Sequence, residues 1–283
     1  MDLKSHRIKI GISVIVVVAA IGASIFLLQE GDAQYNTYTG PPKALIIDQL
    51  YDDMPNKYFH ELATEYLEMG GYETDIVTTK DITVDFYKEL PKMNYKYIVI
   101  RTHGAETIED VVLFTGERYN EENYISEQLF GQVKKAAPLL EVAYQVIDDG
   151  GSSQWIIINE THKYLKMPAK KTATAKNEFF AISPLLVSQA MKGKFDDTVF
   201  LLGGCNTLSN PSLAKALIGR GASVVVGWDN TVGNYDNDRV LLETLRNTFE
   251  KNMEVNEAVN SIILQYDNMA YPANFTVFNS EEL

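Results

Sequence analysis

The chain of 283 residues has one cysteine, Cys205, and four histidines, His6, His60, His103 and His162. A single thiol excludes an intrachain disulfide framework and every multi-cysteine zinc or iron–sulfur site. Four scattered histidines leave little material for a histidine-rich metal centre, and no metal or cofactor is expected. Basic residues are also scarce: 25 Lys and Arg face 38 Asp and Glu, a formal charge of −13. Such a surface repels phosphates, so nucleic acid is not an expected partner. The sequence has no G-x-x-x-x-G-K-[ST] loop for nucleotide phosphates and no G-x-S-x-G elbow of an α/β-hydrolase. What is present is ordinary globular composition, 46% hydrophobic and 22% charged, which excludes a disordered or collagen-like chain.

Charge is missing altogether between residues 10 and 28, a run dominated by Val, Ile, Ala and Leu. At about 1.5 Å per residue a helix of that length spans roughly 28 Å, close to the hydrocarbon thickness of a bilayer. Lys4, Arg7 and Lys9 precede it, and Glu30 and Asp32 follow. The positive-inside rule then keeps a basic tip, residues 1–9, in the cytoplasm and exports the rest. A cleaved signal peptide is the alternative, with Gly31-Asp32-Ala33 as a small-x-small site, and would give a secreted protein. Residues 29–42, with Gly31, Gly40, Pro41 and Pro42, read as a linker that holds an acidic domain clear of anionic lipid. Asn159-Glu160-Thr161 and Asn274-Phe275-Thr276 are sequons compatible with export.

The exported part, 43–283, alternates strands and helices. The apolar runs 44–47 and 97–100 predict strands buried on both faces, and the apolar-rich segments 198–202 and 223–226 predict two more strands. Residues 72–77 read as a further strand. Helices are expected over 56–69, 84–90 and 183–191, from Asn210-Pro211 onward, and near 236–250 and 255–266. Between 105 and 180 the rhythm fades. Strands are expected at 111–114 and 155–158, partial helix over 125–140, and an exposed lysine-bearing stretch from Lys163 to Lys176. That interval reads as an elaboration on the sheet. The order β-α-β-α-β then β-α-β predicts an α/β fold, a mostly parallel sheet with helices on both faces, preceded by the transmembrane helix.

In such sheets ligands bind beyond the carboxyl ends of the strands. Three polar or glycine-rich clusters sit there: His103-Gly104, Gly203-Gly204-Cys205 and Gly227-Trp228-Asp229. A free thiol is only a few per cent thiolate at neutral pH, so a nearby imidazole would serve it as proton acceptor. The positive end of the helix opening near Pro211 would favour the anion. Backbone N–H groups of Gly104 and Cys205 would form an oxyanion hole. Read one at a time, Cys205 is equally a small buried hydrophobe and His103 a structural histidine. The pairs Asp52-Asp53 and Asp148-Asp149 read as solvated loop acids.

The pattern strand–His103-Gly104, a long interval, strand–Gly204-Cys205, helix, then 221–228 ending at Trp228, resembles the caspase-type cysteine peptidases. Within them it is most similar to the CHAT, clostripain and gingipain branches, over roughly residues 43–267. Amidotransferase-like thiol enzymes place the nucleophile before the histidine, the opposite order. The resemblance implies a Cys–His dyad, with Cys205 as nucleophile, His103 as general acid and base, and the Gly104 and Cys205 amides holding the oxyanion. It implies an endopeptidase acting on peptide or protein substrates through an acyl-thioester. Several relatives directed at basic residues carry aspartate two positions before the nucleophile, where this chain has Gly203. Asp229 beside Trp228 is then the candidate for lining the first specificity pocket. Two other readings stay open: a catalytically inactive domain of the same fold that binds a peptide or protein, and a solute-binding or sensory ectodomain in which Cys205 is structural.

Overall fold

The structure, a computed structural model, describes residues 40–108, 110–137, 143–146, 155–158, 163–166, 169–172, 178–263 and 273–281. The tip 1–9, the anchor 10–28, most of the linker, the sequon asparagine Asn159, Asp148-Asp149 and the helix end beyond 263 lie outside the described residues. Among the described residues no helix is long and apolar enough to cross a membrane.

From the N-terminal side, β1 (Lys43–Asp48) leads to α1 (Lys57–Met69), β2 (Glu73–Thr78), α2 (Val84–Glu89) and β3 (Tyr95–Arg101). There follow β4 (Gly104–Glu106), β5 (Val111–Arg118), α3 (Ile125–Leu129) and β6 (Val133–Ala136). Four short strands come next: β7 (Ala143–Val146), β8 (Trp155–Ile158), β9 (Lys163–Lys166) and β10 (Ala169–Thr172). The chain then forms β11 (Phe179–Ile182), a π-helical turn (Leu186–Ala190), β12 (Thr198–Gly203), α4 (Ser212–Gly219) and β13 (Ala222–Trp228). It ends in α5 (Asn234–Phe249), α6 (Val255–Ile263) and β14 (Phe275–Asn279).

Six strands form the main sheet in the order β14-β13-β12-β3-β1-β2. Five are parallel, and β14 alone runs antiparallel, against β13. The fold is therefore mixed α/β around a mostly parallel sheet, as the alternation of elements predicts. The central strands β1, β3, β12 and β13 are largely apolar on both faces because both faces are covered. Leu45, Ile47, Ile98, Ile100, Phe200 and Leu202 share one core with Val84 and Tyr87 of α2 and Leu213, Ala214 and Leu217 of α4. Ala44, Ile46, Val99 and Leu201 share the other with Phe59, Ala63 and Leu67 of α1, Leu241 and Leu245 of α5, and Val259 and Ile262 of α6. The four-residue spacing of Phe59, Ala63 and Leu67 puts one stripe of α1 on the sheet. Asn56 caps its start, accepting from the Tyr58 N–H at 3.2 Å.

The interval after β3 contains a second, antiparallel sheet, β4-β5-β11-β6, with separate pairs β7–β10 and β8–β9. One face of this sheet joins the first core through Val111, Leu113, Val133, Phe180 and Ile182. Among the described residues of the 125–140 stretch, helix is confined to Ile125–Leu129, and 133–136 is strand. The helix expected over 183–191 is largely a π-helical turn.

Candidate active site

The β3–β12 pairing brings His103 and Cys205 to one place. The two strands are parallel neighbours with Val99 opposite Leu201 and Arg101 opposite Gly203. The Thr102 N–H extends the ladder, donating to the Gly203 carbonyl at 2.8 Å. His103 and Cys205 each follow two residues beyond the last pair of that ladder, although 102 residues separate them in sequence.

Backbone contact confirms how close these turns are. A Cβ on Gly104 would overlap the Cys205 carbonyl oxygen, and one on Gly204 would lie 2.5 Å from the Thr102 carbonyl oxygen and 3.3 Å from the Gly104 nitrogen. Only glycine lets the two segments approach this far. Asn206, next to the cysteine, has φ +56°, a left-handed conformation that asparagine tolerates better than most residues. Buried Thr207 pins the following turn: its hydroxyl donates to the Leu202 carbonyl at 3.2 Å and accepts from the Trp228 N–H at 2.9 Å. The side chain after the β12 turn is thus set by contacts to both neighbouring strands.

Cys205 is half-buried. Its sulfur lies 3.4 Å from both the nitrogen and the carbonyl oxygen of Val232, accepting from the first and donating to the second. The N–H favours a thiolate, and the carbonyl favours the thiol. Helix α4 begins at Ser212, seven residues beyond the cysteine, where Asn210 Oδ1 accepts the Ser212 N–H at 3.0 Å.

His103 is mostly enclosed and stands edge-on to Phe114, with ring centroids 5.6 Å apart. Burial, and then the Arg101 guanidinium, push its imidazole down to about 4, so the ring is neutral at pH 7 and a weaker base than a free imidazole. Its backbone is held from β1. Gln49, fully buried, accepts the His103 N–H on Oε1 at 3.0 Å and the Thr102 hydroxyl at 3.3 Å. Among the described residues, Gln49 Nε2 has no hydrogen-bond partner.

Beneath this turn lies a buried ionic web. Arg101, 1% exposed, donates to Asp48 at 2.9 Å and to Asp238 through Nε and Nη2 at 2.6 and 3.0 Å, and to the Met54 carbonyl at 2.6 Å. Burial alone opposes the guanidinium charge, but the two carboxylates outweigh it and keep Arg101 protonated. Asp48 also accepts the Leu50 N–H at 3.1 Å and contacts His60 Nε2 at 2.9 Å, whose ring stacks on Tyr51. Gln49, Arg101, Asp48 and Asp238 escape sequence reading because their contacts span up to 137 residues. One signal was present: opposite charges, Asp48 and Arg101, each follow a four-residue apolar run.

The end of β13 is built differently. Trp228 is 1% exposed, packs on Phe275 at 4.8 Å and donates its indole N–H to Asn237 at 2.9 Å; it presents no surface to a ligand. The Asp229 carboxylate takes the Asn274 N–H and side-chain amide, both at 2.7 Å, and the Asp229 N–H donates to the Asn274 carbonyl at 3.0 Å. At Gly203 a Cβ would overlap Leu241 and stand 2.9 Å from Asn237 Oδ1, so helix α5 fills the space that an aspartate side chain would need. Burial raises the Asp53 carboxyl, helped by Asp52 and opposed by Arg118. No group of three or more potential metal ligands occurs among the described residues. No protein-family model and no curated protein matches the chain.

Proposed function

We propose that the chain is a membrane-anchored cysteine endopeptidase whose caspase-like domain lies outside the cytoplasm. The observation that supports this reading is that β3 and β12, paired as far as Arg101 and Gly203, are each followed two residues on by His103 and Cys205, with Gly104 packed on the cysteine's carbonyl. The imidazole takes the Sγ proton as sulfur attacks the scissile carbonyl carbon, and the Gly104 and Cys205 N–H groups hold the resulting oxyanion. The tetrahedral species collapses, the C–N bond breaks, and His103 returns the proton to the leaving amine. Water, deprotonated by His103, then attacks the acyl-thioester; the acid departs and the thiol reforms. Export rests on the uncharged run 10–28 and its basic flank.

The test is turnover of a quenched fluorogenic peptide library. Cys205→Ala is expected to abolish it, and His103→Ala to lower it about 10²- to 10⁴-fold. Equal turnover by wild type and Cys205→Ala would end the peptidase reading. A second reading, an inert peptide-binding domain of the same fold, is favoured by the sulfur's two contacts with Val232. Iodoacetamide separates the two: a catalytic thiol alkylates faster in the native than in the unfolded chain at mildly acidic pH, and a merely lodged one more slowly.

A further inference from the structure

In an antiparallel ladder, residues of one strand alternate, one turning its N–H and C=O into the partner and the next turning them away. Two bonds fix the alternation in β4. The Phe114 N–H donates to the His103 carbonyl at 3.0 Å, and the Thr107 N–H to the Asp110 carbonyl at 2.7 Å. Between them stand the pairs Gly104–Leu113, Ala105–Val112 and Glu106–Val111. Residues 103, 105 and 107 therefore face β5, and Gly104 and Glu106 direct their N–H and C=O groups the other way. On that side β4 is the edge of its sheet, with no paired strand among the described residues. This edge begins beside the backbone of Cys205, where Gly104 lies against Gly204 and the Cys205 carbonyl. Its far end, Glu106, is exposed.

The geometry points to the outer edge of β4 as a rail that binds the substrate backbone as an added strand. This inference rests on the cysteine-peptidase reading. With the scissile carbonyl on the Gly104 N–H, the Glu106 N–H and C=O stand about 7 Å along, the two-residue repeat of an extended chain. They bond the substrate residue two positions from the scissile bond, on one side of it. The ligand is thus an unfolded, extended polypeptide segment recognised through its main chain. Side-chain identity at the bonded residue matters little, but that residue must keep its N–H, which excludes proline and N-methyl residues. A three-residue edge is long enough for these bonds and too short to recruit a whole sheet.

Glu106→Pro tests the rail in the full chain. It deletes the outward N–H and no bond to β5, since Ala105 carries the ladder there. The expected result is a loss of about tenfold in kcat/KM, mainly through KM. An N-methyl scan of a cleaved peptide reads the same bond from the substrate and needs no variant to fold. It should lose about tenfold when the methyl sits two residues from the scissile bond on one side, and much less at the adjacent residue. No loss at any position, or the same loss at all, overturns the rail. Amide hydrogen exchange in Cys205→Ala with randomised unstructured decapeptides separates this failure from failure of the peptidase reading. Slowed exchange at Glu106 supports the rail even where wild type cleaves nothing, and unchanged exchange at saturating peptide overturns it even where turnover is observed.

Discussion

The ends of β3 and β13 lie in one parallel sheet, two strands apart, and treat their polar groups in opposite ways. At β13 the protein bonds them to itself: Trp228 is buried with its indole bonded to Asn237, and Asp229 is closed by Asn274. At β3 the anchoring groups lie below the surface, in Arg101, Asp48, Asp238 and Gln49, while the backbone of Gly104 and Glu106 faces away from its partner strand. A strand's carboxyl end becomes a site when support comes from behind it. Where the same bonds are made across the opening, the end is closed.

The largest effect that would break this comparison comes from Arg101→Met. It strands two buried carboxylates and is expected to cost about 3–5 kcal/mol in urea unfolding; a loss near zero would mean that the web does not support the β3 end. Acid acts on the same end through His103. Its folded value of about 4 lies below the ordinary 6.5, so the unfolded chain takes up that proton first. The contribution is constant above about pH 6.5 and falls progressively to about pH 4, by roughly 3 kcal/mol in all. Stability measured against pH should show this slope, and His103→Leu should lose it. The acid limb of kcat/KM should likewise lie near pH 4.

A smaller change is expected from Gln49→Leu, about 1–3 kcal/mol, because it leaves the His103 N–H and the Thr102 hydroxyl with one acceptor fewer. The unpaired Nε2 removed with it offsets part of that cost. Turnover should fall through kcat with KM held, which separates misplacement of His103 from simple loosening. The smallest effect is expected at β13. Asp229→Ala removes exposed bonds to Asn274 and should cost about 1 kcal/mol or less. It should change cleavage after Lys or Arg no more than cleavage after neutral residues. A selective loss at basic residues would place Asp229 in the pocket and erase the contrast between the two ends.

Much of this was legible in the residues. Four-residue apolar runs marked β1, β3, β12 and β13 because strands covered on both faces have no polar side to show. The rule placing ligands at strand ends then singled out His103 and Cys205 without any knowledge of which strands are neighbours. The second sheet was not legible. β4 is three residues long, and the β5–β11 ladder pairs Leu113 with Ile182 across 69 residues, beyond the reach of local periodicity. β14, Phe275–Asn279, is an edge strand whose placement depends on β13. Gln49 follows the first strand like any turn residue, and only the register of β1 beside β3 gives its amide a task.

The strand order has one more consequence. β2, β1 and β3 come from residues 43–101, and β12, β13 and β14 from 198–279. The sheet is two contiguous halves joined along a single seam, and the histidine and the cysteine sit one on each side of it. During synthesis His103 emerges 102 residues ahead of Cys205. Joining two segments so distant in sequence is the slow kind of step in folding. Under the peptidase reading, reactivity therefore arrives late, as a property of the joined sheet and of neither half.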